Sequence, residues 1–178
     1  ANGIIGEPTS LEVVHAHKGV IGFVATSRGK AAHSSTREGL NANLAMIPFL
    51  AEMKKIHDEA EVDSNWHNHE FDPPTITWNI GINDHTKAVN ITPPQSICTV
   101  YFRPMPGQDG NILLERSRQA AEQNGLEFTV PVNGDPIYTD PNCEFVHEVL
   151  KIAGKDNATT VSYGTDGAKL TALKKLVI

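Results

Sequence analysis

Apolar positions in this chain alternate between a two-residue period and a three-to-four-residue period, and the switches predict six elements between residues 20 and 132. VIGFVAT at 20–26 is β-branched and aromatic and runs into Ser-Arg-Gly, which reads as a strand entering a turn. Ser35 with Glu38 three residues on has capping-box spacing, and Leu40, Leu44, Ile47, Leu50 and Met53 then recur at helical intervals. Pro48 lies inside that helix and predicts a kink or break, because proline cannot donate to the carbonyl of residue 44. Residues 62–74, rich in Asp, His, Asn and Pro, predict a loop. In TITWNIGI at 75–82, Ile76, Trp78, Ile80 and Ile82 alternate with Thr75, Thr77, Asn79 and Gly81, the pattern of a strand with one buried face. SICTVYFR at 96–103 follows a turn containing Pro93 and Pro94 and predicts an antiparallel neighbour. Asp109 caps a helix through Ile112, Leu113, Arg116 and Ala120 that Gly125 stops, and LEFTVPV at 126–132 is the last strand.

The order β-α-β-β-α-β is that of the ferredoxin-like split βαβ unit, an α+β arrangement with one sheet and both helices on one face. Such a unit leaves one sheet edge open to pairing with a second copy. The flanks do not belong to it. Residues 1–17 supply a strand and a turn, while the C-terminal stretch supplies a helix (Asp140 cap, Pro141 in the first turn, Phe145, Val149, Leu150, Ile152, Gly154 stop) and then ATTVSYGTDGAKL. The predicted division is therefore 1–17 and 136–178 as pieces of a second domain, with 18–135 inserted between them.

Composition narrows the function classes. A net charge of −6 without a Lys/Arg cluster argues against a nucleic-acid surface, and no apolar run reaches the length of a membrane span. Cys98 and Cys143 lack C-x-x-C spacing and no signal peptide is evident, which points to a cytoplasmic protein, although the chain begins in mid-strand.

Several residues invite chemistry. Glu7, between Gly6 and Pro8, reads either as a turn residue facing water or as a carboxylate held by a rigid corner for metal binding or catalysis. His33 reads as a polar residue before a helix cap, and Arg103 as a strand-end residue. Two H-x-H pairs, His15 with His17 and His67 with His69, have the alternation that lets one strand face share an ion, but each lacks convergent ligands.

GEPTSLEVVHAHKG at 6–19, GKAAHSS at 29–35, FDPP at 71–74, NITP at 90–93, FRPMPG at 102–107 and SYGTDG at 162–167 occur in one consistent order. Together they resemble the acetylornithine deacetylase / succinyl-diaminopimelate desuccinylase family of co-catalytic di-zinc amidohydrolases and peptidases, which also includes aminoacylase and carboxypeptidase G2. H-K-G, F-D-P-P, R-P-M-P-G and S-Y-G-T-D lean toward the acetylornithine deacetylase branch. The resemblance implies that 18–135 is the family's lid and dimerisation domain and that the flanks are parts of its zinc-peptidase-like catalytic domain. It also implies a homodimer.

By the same resemblance Glu7 would be a ligand to one of two zincs, for which cobalt can substitute. His33 would be the lid histidine that stabilises the oxyanion in the partner's active site. Asn90 and Arg103 would contact substrate, and Gly164 and Thr165, with Asp166 beside them, would line its pocket. The family's H-x-D, further Asp, Glu-Glu pair and C-terminal His have no counterpart here, since His57 is followed directly by Asp58. The chain is thus expected to be a piece of the enzyme, inactive alone and without bound zinc. The implied reaction is metal-assisted hydrolysis of an N-acyl amino acid, with N2-acetyl-L-ornithine favoured. Alternatives are a desuccinylase, aminoacylase or carboxypeptidase of the same family, or a non-catalytic dimerisation module.

Overall fold

The computed structural model describes residues 2–173, with side chains to residue 170, so Ala1 and the end of the expected C-terminal piece lie outside the described residues. Twelve stretches of regular structure run in the order β1 (Val14–His17), β2 (Val20–Arg28), α1 (Ala42–Val62), a 3-10 turn at Ser64–Trp66, β3 (Thr77–Asn83), β4 (Gln95–Arg103), α2 (Asn111–Gln123), β5 (Glu127–Gly134), β6 (Ile137–Tyr138), α3 (Glu144–Ala153), β7 (Thr159–Val161) and a 3-10 segment at Asp166–Leu173. They form two sheets. A four-stranded antiparallel sheet has the order β3-β4-β2-β5, and a three-stranded one has the order β6-β1-β7, with β1 and β7 parallel.

The stretch from β2 to β5 is the predicted β-α-β-β-α-β unit. Alternation along its strands sends Ile21, Phe23 and Ala25 of β2 and Cys98, Val100 and Phe102 of β4 to the face that α1 and α2 cover, where Met46, Phe49, Met53, Ile56, Leu113 and Ala121 meet them. Trp78 stacks on Phe102 at 4.6 Å between ring centroids, so the edge strand β3 is tied into the same core. The opposite sheet face carries Asn79, Thr99, Tyr101 and Thr129 and is open.

Three helix starts or faces differ from expectation. Helix α1 begins at Ala42 rather than near Ser35, because Asn41 accepts the N–H of Asn43 and supplies the cap, while the hydroxyl of Ser35 is taken up by His33. Within α1 Ala42, Met46, Phe49, Met53, Ile56 and Ala60 are buried, whereas Leu44 and Ile47, with Leu40 ahead of the helix, face outward. The helix does not break at Pro48, since only that residue's own bond is lost and buried side chains hold the helix on both sides. In α3, Asp140 accepts the N–H of Asn142 in a turn ahead of the helix, and the buried positions are Val146 and Leu150 rather than Phe145 and Ile152. Gly125 and Gly154 both adopt left-handed backbone where their helices end, as predicted for stops.

The expected strand before Glu7 is also absent among the described residues. Beyond an isolated bridge at Gly3, the chain there is irregular until a turn at Thr9–Leu11, and the strand of this region is β1, after the turn.

Candidate functional site

Residues carried by the resemblance fall into two groups at opposite ends of the four-stranded sheet. At one end β1 delivers the chain into β2 through His17, Lys18 and Gly19. Gly19 donates its N–H to Pro104 O at 2.7 Å, and a Cβ there would meet Gly134 O at 2.7 Å, so only glycine fits this crossing. The carboxylate of Glu7, half-buried, shares a cleft of about 310 Å³ with His17, Gly164, Thr165, Asp135 and Asp166. Arg103, the last residue of β4, borders it: a Cβ on Gly164 would lie 3.5 Å from Arg103 Nη1. The guanidinium is held, with Nη1 donating to Gly19 O at 3.4 Å, Nη2 to Tyr101 Oη at 3.4 Å, and its centre 5.0 Å above the Tyr101 ring.

His17, half of the first H-x-H pair, lines this cleft. Its Nδ1–H donates to Lys18 O at 2.8 Å and its Nε2 accepts the N–H of Thr165 at 3.4 Å, which fixes the neutral tautomer and tethers the 162–167 loop to the end of β1. Burial, followed by the charge of Arg103, holds its imidazole below the ordinary histidine range despite the backbone bonds and Glu7. No spacing rule marks this role; only the fold, by laying the SYGTDG loop across β1, reveals it.

At the other end lie His33 and Asn90. Segment 30–34 continues the ladder irregularly: Ser34 donates its N–H to Asn90 O, Thr92 to Ala32 O, and His33 bridges Ile91. His33 Nδ1 accepts both the hydroxyl (2.7 Å) and the N–H (3.3 Å) of Ser35, so Nε2 carries the proton and is available as a donor on an exposed side chain. Strand β4 separates the groups, and the eight steps of ~3.3 Å between its nine residues span about 26 Å. Within one chain His33 and Asn90 therefore do not reach the cleft of Glu7, Arg103, Gly164 and Thr165.

The donor set does not make a metal centre. Among the described residues no three His, Cys, Asp or Glu side chains converge on a point where an ion could sit, although Asp135 and Asp166 line the same cleft as Glu7. The H-x-H pairs are otherwise engaged: His15 Nδ1–H donates to Thr139 O, and His67 Nε2–H donates to Glu61 O with its ring edge-on to that of His69. Among the described residues no helix is long and apolar enough to cross a membrane.

A family model described as the peptidase dimerisation domain of the M20 family matches residues 15–129. The chain belongs to this family of amidohydrolases and peptidases. It is 30% identical over 180 residues to an acetylornithine deacetylase of Myxococcus xanthus, covering 97% of this chain and 47% of that protein. It is 31% identical over 172 residues to a probable succinyl-diaminopimelate desuccinylase of Staphylococcus epidermidis, covering 84% of this chain and 42% of that one. The chain spans less than half the length of these curated relatives. Among solved structures, aminopeptidase PepT of Bacillus cereus matches 99% of this chain and 46% of its own with a TM-score of 0.67 at 17% identity, and an M20-family metallo-carboxypeptidase of Sulfolobus solfataricus matches 98% and 60% with 0.65 at 16%. At those identities the likeness is one of fold.

Proposed function

We propose that this chain is the lid-bearing part of a dimeric, zinc-dependent amidohydrolase that removes the acyl group of an N-acyl amino acid, with N2-acetyl-L-ornithine as favoured substrate. The observation that supports it most is the separation of the two residue groups along β4. Each subunit offers a carboxylate-and-guanidinium cleft at one end and an exposed imidazole donor with an asparagine at the other, an arrangement suited to sites completed in trans. In this reading Arg103 binds the substrate carboxylate, Gly164 and Thr165 line the pocket, and His33 Nε2–H donates to the oxyanion formed in the partner's site. Glu7 contributes one ligand to a zinc pair whose other donors lie outside these residues.

The proposed dimer face is the β3 edge together with the outer side of α1. Leu40, Leu44 and Val89 line one groove there and Ile47 and Ile82 the next, all exposed, and Asn43 Nδ2–H bonds Asp84 Oδ2 between them. A free edge strand beside an apolar stripe is suited to a second copy of the same domain. Leu44→Glu with Ile47→Glu is expected to leave the chain monomeric by light scattering.

The decisive test uses the full-length enzyme. A His33→Ala subunit mixed with a Glu7→Ala subunit yields a heterodimer in which one site has both its zinc ligands and its trans donor, and deacetylation should return. Native mass spectrometry verifies the heterodimer; an inactive one rejects the trans role of His33. The 178-residue chain itself should show no turnover of acetylornithine above the metal-only blank with zinc or cobalt.

A further inference from the structure

Lys18 is fully buried, and its position at the crossing between the two sheets is not used by the proposed chemistry. A buried ammonium is costly unless its donors are satisfied. Here Nζ donates to Pro73 O at 2.8 Å and Thr75 O at 2.9 Å and lies 5.9 Å from the centre of the Phe71 ring. Desolvation, followed by Arg103, holds the ammonium below the usual lysine range.

The loop that receives it, 67–75, connects α1 to β3 in the four-stranded unit and closes on itself through Asn68 N–H to Pro74 O at 2.7 Å and the bridge between His67 and Thr75. Two further carbonyls of the same loop are bound from the small sheet: Thr160 Oγ1–H donates to Glu70 O at 2.5 Å, and Ser162 Oγ–H to Asp72 O at 2.6 Å. Phe71, between those carbonyls, is buried against Ala16 of β1 and against Met105. Four carbonyls of one loop are thus held by three side chains from the small sheet and its exit.

We propose that Lys18, Thr160 and Ser162 clamp the 67–75 loop and so fix the orientation of the four-stranded layer against the small sheet, making Lys18 a positioning residue for Arg103. Lys18 acts from the linker whose next residue, Gly19, donates its N–H to Pro104 O and accepts the Arg103 guanidinium at its own carbonyl, so a rotation released at the loop moves Arg103 relative to Gly164. The consequence for Arg103 rests on the cleft reading above; the clamp does not.

The test uses the 178-residue chain carrying Cys143→Ser, with spin labels on Lys54→Cys of α1 and Lys151→Cys of α3, diluted in excess unlabelled chain so that only intrachain distances are read. The parent should give one narrow distance distribution by pulsed electron resonance. Lys18→Met, and separately Thr160→Val with Ser162→Ala, should each broaden it at least twofold while amide-exchange protection at Phe23 and Val100 stays at the parent level. The hydroxyl pair decides the matter if Lys18→Met does not fold. A distribution that stays narrow, or broadening accompanied by lost protection at Phe23 and Val100, overturns the clamp. No substrate enters the measurement, so a failure of the cleft reading leaves its result intact.

Discussion

The two sheets of this protein solve burial in opposite ways. The four-stranded unit closes its own core: both helices cover one face, and Phe23, Phe49, Ile56, Ile76, Cys98 and Phe102 are at or near zero exposure. The small sheet has strands of two to four residues, and its main core cluster is Val13, Val146 and Leu150 beside an apolar cavity of about 230 Å³ bordered by Ile5, Val13, Ala16, Val149 and Val161. One layer is organised by packing, whereas the other is organised by hydrogen bonds at its border, through Lys18, Thr160, Ser162 and His17. The cleft residues Glu7, Gly164 and Thr165 lie beside the second kind of structure and meet the first at Arg103.

The sharpest way to break this contrast is to cut matching holes in both cores. Phe49→Ala removes a fully buried ring from α1 and should lower stability by about 3–5 kcal/mol in urea titration. Leu150→Ala, next to the open cavity, should fall at or below the ~2 kcal/mol end of the leucine range, because its surroundings are less completely packed. Equal losses would show that the small sheet is as well closed as the large one. Limited proteolysis offers a coarser check: a resistant core of about residues 18–135 is expected, and early cuts between Thr75 and Val132 would contradict a self-contained unit.

Legibility in the sequence follows the same division. The β-α-β-β-α-β order could be read because strand alternation and the Gly125 stop are local signals: SICTVYFR has one clear buried face, and TITWNIGI packs Ile76, Trp78 and Ile80 on the core while Ile82 at its end is exposed. The face of α1 could be read only at Leu50 and Met53, because Leu40, Leu44 and Ile47 are apolar at helical spacing yet face outward, where a periodicity argument assigns them to the core. Apolar residues left on the surface carry the same pattern as residues buried in the interior. Ser35 misled for a related reason: its capping-box spacing is satisfied on paper, but its hydroxyl serves His33. Of the site, the motifs named Glu7, His33, Asn90, Arg103, Gly164 and Thr165, whereas their separation into two groups depends on the length and direction of β4 and no short motif contains it. Lys18 and His17 were invisible as border residues because their partners lie far along the chain, at 73, 75 and 165.

A smaller effect tests the start of α1 directly. Asn41→Ala removes the side-chain acceptor for Asn43 N–H and should cost about 1 kcal/mol, with helical content reduced at the first turn. Ser35→Ala, the change that the sequence pattern marks as damaging, should stay within about ±0.5 kcal/mol, since it leaves the helix cap untouched. If the two losses were reversed, the cap would lie where the capping box placed it.

The smallest expected effect is a pH dependence confined to the hydrogen-bonded border. Burial lowers the His17 imidazole from its ordinary 6.5 in the folded protein. Well above pH 6.5 both folded and unfolded forms carry it neutral, and it contributes no slope. As pH falls below that value the unfolded chain takes up the proton first, binds more protons than the native form, and is favoured, so stability declines until the folded-state pKa is passed. His17→Gln keeps an N–H for Lys18 O but does not titrate, and should flatten the decline of the urea midpoint between pH 7 and 5 relative to the parent. The remaining histidines are common to both proteins, so the difference isolates this one. Were parent and His17→Gln to lose stability in parallel, folding would not favour the neutral imidazole, and the small sheet would be holding the 162–167 loop by other means.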